Sequence, residues 1–216
     1  MTRRIGLLGG SFNPAHSGHR RISLAAIEAL GLDELWWLVS PGNPLKPARG
    51  MAPFAARLAS AQMMARRSRI RATDVEARLG TRYTVDTLRL LTRRYPRDRF
   101  IWIMGADNLL QFSAWRRWRE IARTMPIAVV ARPGYDARAM AAPAMAWLRR
   151  FAHPSACARD WTDWSVPALV LLRFRPDPTS ATLKRAADPH WHERFMPHKD
   201  LEKDMAPTVR ASHIFT

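Results

Sequence analysis

Residues 5–19 read IGLLGGSFNPAHSGH, a short apolar run that passes through two glycines and two histidines into a helical pattern. An apolar run of this length that stops on glycine has the form of a buried strand entering a tight turn. Gly9 and Gly10 let backbone N–H groups approach a bound anion closely, and the start of the next helix adds partial positive charge. His16 and His19 stand three apart around Gly18, a spacing that brings both rings to the opening turn of that helix, facing the same anion. The stretch reads as a nucleotide-phosphate site at the end of a first strand, and its strand–loop–helix form sets the pattern for the rest of the chain.

Working outward, apolar runs alternate with longer helical patterns, the signature of a parallel sheet covered by helices. Strands are expected at 4–8, 34–40, 99–104, 126–131 and 166–174, with a weaker candidate at 69–77. The first helix spans about 18–30, with Ile22, Ala25, Ala26, Ala29 and Leu30 on one face and Gly31 placed to end it. Others are expected at 53–66, at 109–121 with Trp115 and Trp118 three apart, at 139–151 and at 179–187. Thr84 is placed to cap a further helix that turns Val85, Leu88, Leu91 and Tyr95 inward. The loop PGNPLKP at 41–47 carries three prolines, which no ladder tolerates. The clearest strand, RFIWIM, ends at Gly105, Ala106 and Asp107. Ligands of open α/β sheets sit beyond the carboxyl ends of strands, so this triplet joins the glycine loop as a second piece of the site.

The charge of +17 invites a nucleic-acid reading, but only four of the 35 basic residues are lysines and the arginines are spread along the whole chain. That spread argues against a nucleic-acid stripe, while the field still draws in small anions. No apolar run approaches the roughly 20 residues of a membrane span, and the N-terminus lacks the apolar length and cleavage site of a secretory signal, so a cytoplasmic protein is expected. Cys157 is the single cysteine, which leaves no disulfide framework and no cysteine-based zinc site. His190, His192, His198 and His213 form no regular ligand pair, and no metal site is expected from them. Neither GxGxxG nor GxxxxGK[ST] occurs, so dinucleotide and P-loop fingerprints are both missing.

GGSFNPAHSGH resembles the (H/T)xGH region of the nucleotidyltransferase superfamily, and the rest of the chain resembles the bacterial nicotinate mononucleotide adenylyltransferases. The likeness runs through PGNPLK at 41–46, RYTVDTL at 82–88, MGADNL at 104–109, the tryptophan of SAW, VVARPG at 129–134 and SATLKR at 180–185. It implies a Rossmann-like open, mainly parallel sheet with helices on both faces. Residues 1–187 would form the nucleotidyltransferase domain and 188–216 a C-terminal tail. The implied reaction moves AMP from ATP to nicotinate mononucleotide, releasing pyrophosphate, with Mg²⁺ carried mostly on phosphate oxygens and water. A homo-oligomer is compatible with this reading.

The same resemblance assigns roles. His16 and His19 would donate to the ATP phosphates, with the backbone of Gly9, Gly10, Ser11 and Phe12 lining the pocket. Gly105 and Asp107 would meet the ATP ribose, and Ser180, Thr182 and Arg185 the far phosphates. Trp115 would stack the pyridine ring, and Tyr83 and Thr84 would hold its carboxylate. Arg132, Asn43 and Lys46 would meet the acceptor phosphate. Two features depart from the family pattern: Lys184 stands where an aliphatic residue is usual, and DPHWHERFMPHKDLEKDM replaces the usual apolar segment. Two alternatives accompany the reading. One is an adenylyltransferase acting on nicotinamide mononucleotide or phosphopantetheine; the other is a basic nucleotide- or nucleic-acid-binding protein without turnover.

Overall fold

The apolar runs become strands because both faces of the sheet are covered, so every side chain of a central strand has somewhere dry to go. The computed structural model describes residues 2–42, 50–131, 136–174 and 179–196. In chain order these give β1 (Arg4–Gly10), α1 (Ser17–Leu30), β2 (Glu34–Val39), α2 (Phe54–Ala65), β3 (Ile70–Thr73) and α3 (Val75–Arg78). There follow α4 (Thr84–Arg94), β4 (Arg99–Gly105), α5 (Ala106–Phe112), α6 (Trp118–Thr124), β5 (Ile127–Val130), α7 (Asp136–Met140) and α8 (Pro143–Leu148). The two-residue β6 (Ala152–His153), β7 (Leu169–Leu172) and α9 (Ala181–Ala187) complete the set, with 3₁₀ turns at Arg149–Phe151, Ser155–Asp163 and Trp191–Phe195. Among the described residues no helix is long and apolar enough to cross a membrane.

The strands form one sheet in the order β3-β2-β1-β4-β5-β7-β6, and every described pairing is parallel. Alternation along each strand feeds two cores. Ile5 and Leu7 of β1, Trp36 and Leu38 of β2, and Phe100, Trp102 and Met104 of β4 face Leu88, Leu91, Phe112, Ile121 and Leu148 of the helices on one side. Leu8, Leu35, Trp37, Ile101 and Ile103 face Ile27, Leu30, Ala61 and Ala65 on the other. The chain winds from β1 out to β2 and β3, then returns to β4 on the opposite side of β1. Winding direction therefore reverses between β1 and β4, which opens a crevice at their carboxyl ends.

Several expectations are corrected. The expected strand at 69–77 stops at Thr73, where the Val75 amide donates to the Thr73 hydroxyl (3.0 Å) and the chain turns into α3. The single helix expected at 109–121 is two, because Arg117 takes a left-handed conformation (φ 54°) between α5 and α6. The helix at 139–151 breaks likewise into α7, α8 and a 3₁₀ turn. Thr84 is not a cap: Tyr83 holds the N-cap position and Thr84 is the first helical residue. The buried face of α1 centres on Ser23, Ala26, Ile27 and Leu30, with Ile22 and Ala25 at its margin, and Gly31 ends the helix at φ 59°. The parallel open sheet itself is as expected, every described strand pairing being parallel. Beyond α9, the 3₁₀ turn at Trp191–Phe195 packs against α2 with Trp191 buried.

Candidate active site

A cavity of about 580 Å³ fills the crevice at the β1/β4 switch point. Gly9 to Phe12 form its floor, and Gly9 is there for a steric reason: a Cβ would stand 2.6 Å from the Trp102 ring. Phe12 is buried at φ 46° and stacks on Trp37 with ring centroids 5.0 Å apart. Trp37 is anchored in turn by its indole N–H, which donates to Ser23 Oγ at 2.8 Å. The glycine turn thus rests on a rigid aromatic base.

His16 is the N-cap of α1 and His19 its third residue, so both rings sit where the first-turn amides point outward. Their centroids are 3.8 Å apart, and His19 also packs against Phe12 at 5.0 Å. The His16 backbone N–H donates to His19 Nδ1 (3.2 Å), so a neutral His19 carries its ring proton on Nε2. Gly18 makes this packing feasible, because a Cβ there would meet His16 Nδ1 at 2.9 Å and the Thr179 carbonyl at 3.1 Å.

On the β4 side, Gly105 caps α5 and Asp107 lies in its first turn, the carboxylate folded back over Gly105 so that a Cβ there would push it aside. Trp102 meets Trp115 edge to face at 6.2 Å, and Trp115 meets Phe112 at 5.5 Å. One aromatic wall therefore runs from the glycine loop to the neighbourhood of Tyr83 and Thr84, which line the same cavity at the start of α4. Trp118, three residues on, is buried and meets Phe112 edge to face at 5.6 Å.

From the C-terminal side, Ser180 caps α9 by accepting from the Leu183 amide (3.2 Å). Arg185 donates to the Asn13 carbonyl (2.7 Å) and the Thr182 hydroxyl (3.3 Å), and the Ser17 and Thr179 hydroxyls meet at 3.1 Å. These contacts dock the last helix on the glycine loop. Gly9, Gly10, Ser11, Phe12, His16, His19, Tyr83, Thr84, Gly105, Asp107, Trp115, Ser180, Thr182 and Arg185 all line the one cavity. Asn43, Lys46 and Arg132 lie outside the described residues.

Sequence reasoning missed several lining residues: Asn13, Glu76, Arg82, Asn108 and Arg116. Arg116 stacks over the Tyr83 ring at 4.6 Å. Glu76 accepts from the buried Thr87 hydroxyl (3.3 Å), and burial pushes its pKa up to about 7 although that hydrogen bond pulls it down. Thr87 Oγ1 is also 2.7 Å from Thr81 Oγ1, so the network holds the turn that presents Arg82 to Thr84. Asn13 and Arg82 stood inside quoted motifs, whereas Glu76 precedes RYTVDTL and carried no sequence signal.

A family profile described as cytidylyltransferase-like matches residues 7–187. The chain is 66% identical over 194 residues to a protein of Erythrobacter litoralis named probable nicotinate-nucleotide adenylyltransferase, covering 90% of this chain and 89% of the relative. A protein of the same name from Parvibaculum lavamentivorans is 54% identical, with 83% and 89% covered. In fold, the chain is similar to a solved structure of Plasmodium falciparum nicotinic acid mononucleotide adenylyltransferase complexed with NaAD. That match has a TM-score of 0.63 at 16% identity and covers 85% of this chain and 83% of the other. Sequence likeness along nearly the whole chain and a cavity at the switch point lead to one assignment: the chain belongs to the nicotinate-nucleotide adenylyltransferase family of cytidylyltransferase-like nucleotidyltransferases.

Proposed function

We propose that this enzyme transfers AMP from ATP to nicotinate mononucleotide, giving nicotinate adenine dinucleotide and pyrophosphate, in NAD biosynthesis. The observation that carries the reading is one cavity that joins a phosphate-type turn with two histidines to an aromatic wall and a helix start. The first suits a triphosphate; the second suits a flat ring bearing a carboxylate.

The acceptor phosphate is already an anionic nucleophile, so the protein's task is alignment and charge stabilisation. An acceptor oxygen forms a bond to the α-phosphorus of ATP while the bond from that phosphorus to the bridging oxygen breaks, and the electron pair leaves with pyrophosphate. His19 Nε2–H and His16 donate to phosphate oxygens whose charge grows in that step. The backbone of Gly9 to Phe12 approaches the same oxygens, Asp107 accepts from the ribose hydroxyls, and Arg185 with Thr182 and Ser180 receives the far phosphates. Trp115 stacks the nicotinate ring, and the first amides of α4 at Tyr83 and Thr84 take its carboxylate. The described lining residues include only two carboxylates, Asp107 and Glu76, and Glu76 is taken up by Thr87. That donor set suits Mg²⁺ that would arrive on ATP, held by phosphate oxygens and water, rather than a protein-built cage. When bound, the ion offsets phosphate charge.

The test is an acceptor comparison with ATP and Mg²⁺. Nicotinate mononucleotide is expected to turn over fastest; a preference for nicotinamide mononucleotide or phosphopantetheine would reassign the acceptor. Adenylyl transfer to none of them, together with salt-sensitive binding to nucleic acid, would leave the non-catalytic reading.

A further inference from the structure

Arg57 projects from the first turns of α2 and is buried, 1% exposed. Its guanidinium donates to four backbone carbonyls: Ala52 (3.0 Å), Ser11 (2.8 Å), Ser40 (2.7 Å) and Pro41 (3.1 Å). Among the described residues no carboxylate is paired with it, and burial pulls its pKa down with no acidic neighbour to offset the effect. The guanidinium also lies over the Phe54 ring at 5.4 Å, and a buried cation held by carbonyl dipoles and one ring face is a costly way to fill space that an apolar side chain would fill.

Its location explains what the fork does. The β1–β2 ladder runs to Gly10 and Val39 and ends with the Ser40 amide donating to the Gly10 carbonyl (2.9 Å). Beyond that point the strands diverge, Ser11 turning into the phosphate loop and Ser40 into the loop that the family resemblance assigns to the acceptor. Arg57 occupies the divergence and bonds both sides at once. Asn13 makes a parallel tie, donating to the Gly50 carbonyl (2.9 Å) and accepting from the Ala52 amide (3.2 Å), while Arg185 holds the Asn13 carbonyl. A continuous set of hydrogen bonds thus runs along the cavity rim from α9 to α2.

We propose that Arg57 is a positioning residue for the transfer reaction: its planar fork holds the ATP-side loop at Ser11 and the acceptor-side loop at Ser40–Pro41 in one spatial register. It does not itself line the cavity; it sets the distance between Ser11 and Ser40, which both do. Lysine, a point donor, cannot hold four carbonyls in that plane. The inference rests on the adenylyl-transfer reading of the cavity.

The experiment compares Arg57→Lys and Arg57→Met with the wild type in steady-state kinetics at a temperature well below each melting point. Both variants are expected to lose about tenfold or more in kcat/KM, with KM raised for ATP and for nicotinate mononucleotide alike. Arg57→Lys should fall nearly as far as Arg57→Met. Lower melting points with kcat/KM within twofold of wild type would overturn the proposal. So would full rescue by Lys, or a KM effect confined to one substrate. Failure of both variants to fold would assign Arg57 to folding alone and overturn it as well. A wild type that forms no dinucleotide would defeat the functional reading itself, an outcome distinct from all of these.

Discussion

At the scale of single residues, chemistry at the cavity separates into groups that change the rate and groups that hold geometry. His19 is oriented by the His16 amide and buttressed by Phe12, so its donor direction is set before substrate arrives. His19→Ala should lower kcat by roughly 10² or more with little change in KM, read from full kinetics. A change in KM alone would make His19 a ground-state binder. Glu76 supports a pH prediction. Burial raises its pKa from the ordinary 4.5 to about 7, so between those values the folded protein keeps a proton that the unfolded chain has lost. Stability from this group is therefore intact below about pH 4.5 and falls as pH rises to about 7. Glu76→Gln should abolish that fall, gaining up to roughly 3 kcal/mol over wild type at pH 8 and little at pH 4. Denaturant melts across this range check it, and parallel wild-type and variant profiles would exclude the assignment.

At the scale of elements, helix starts and breaks place the functional side chains. The opening of α1 works because Gly18 admits the His16 ring and the Thr179 carbonyl to within about 3 Å of where its Cβ would stand. Gly18→Ala should displace His16 and loosen the contact with the segment before α9. A loss of activity far larger than the drop in melting temperature is the expected pattern. The break at Arg117 puts Trp115 in the turn between α5 and α6, against Trp102 and Phe112, rather than on a continuous helix beside Trp118. Trp115→Ala should raise KM for the acceptor by about tenfold, the scale of a lost stacking contact, and leave KM for ATP nearly unchanged. Equal changes for both substrates would show that the wall, rather than a ring-stacking face, had been lost. Apolar periodicity foretold β1, β2, β4 and β5 because each is buried on both faces. It missed β6, which has two residues, and the Arg117 break, because an arginine in a left-handed conformation leaves no mark in the pattern.

At the scale of the whole molecule, the charge of +17 acts as a long-range field, and its ligands under the proposed function are phosphates. Between about 0.01 and 0.15 M ionic strength the Debye length shrinks from about 30 to 8 Å. The kcat/KM for ATP should fall severalfold over that range if the field steers the nucleotide. A flat profile would confine electrostatics to the cavity itself. Wild type should also gain thermal stability from ATP and acceptor together, as any ligand bound only by the folded state requires.

The apolar strands β1, β2, β4 and β5, the first helix and the pieces GGSFNPAHSGH, GAD and SATLKR are local features, written in spacing and side-chain type, so the sequence alone determined them. Which pieces meet depends on strand order, and that order places β4 beside β1 although 88 residues of chain lie between Gly10 and Arg99. Tertiary structure alone decided that a histidine pair, an aromatic wall and an arginine on α9 share one crevice. It alone brought Arg57 to the carbonyls of both diverging strands. In sequence Arg57 is one arginine in a short alanine-rich helix; only where two diverging strands leave carbonyls without partners does a planar, five-donor cation become the group that fits.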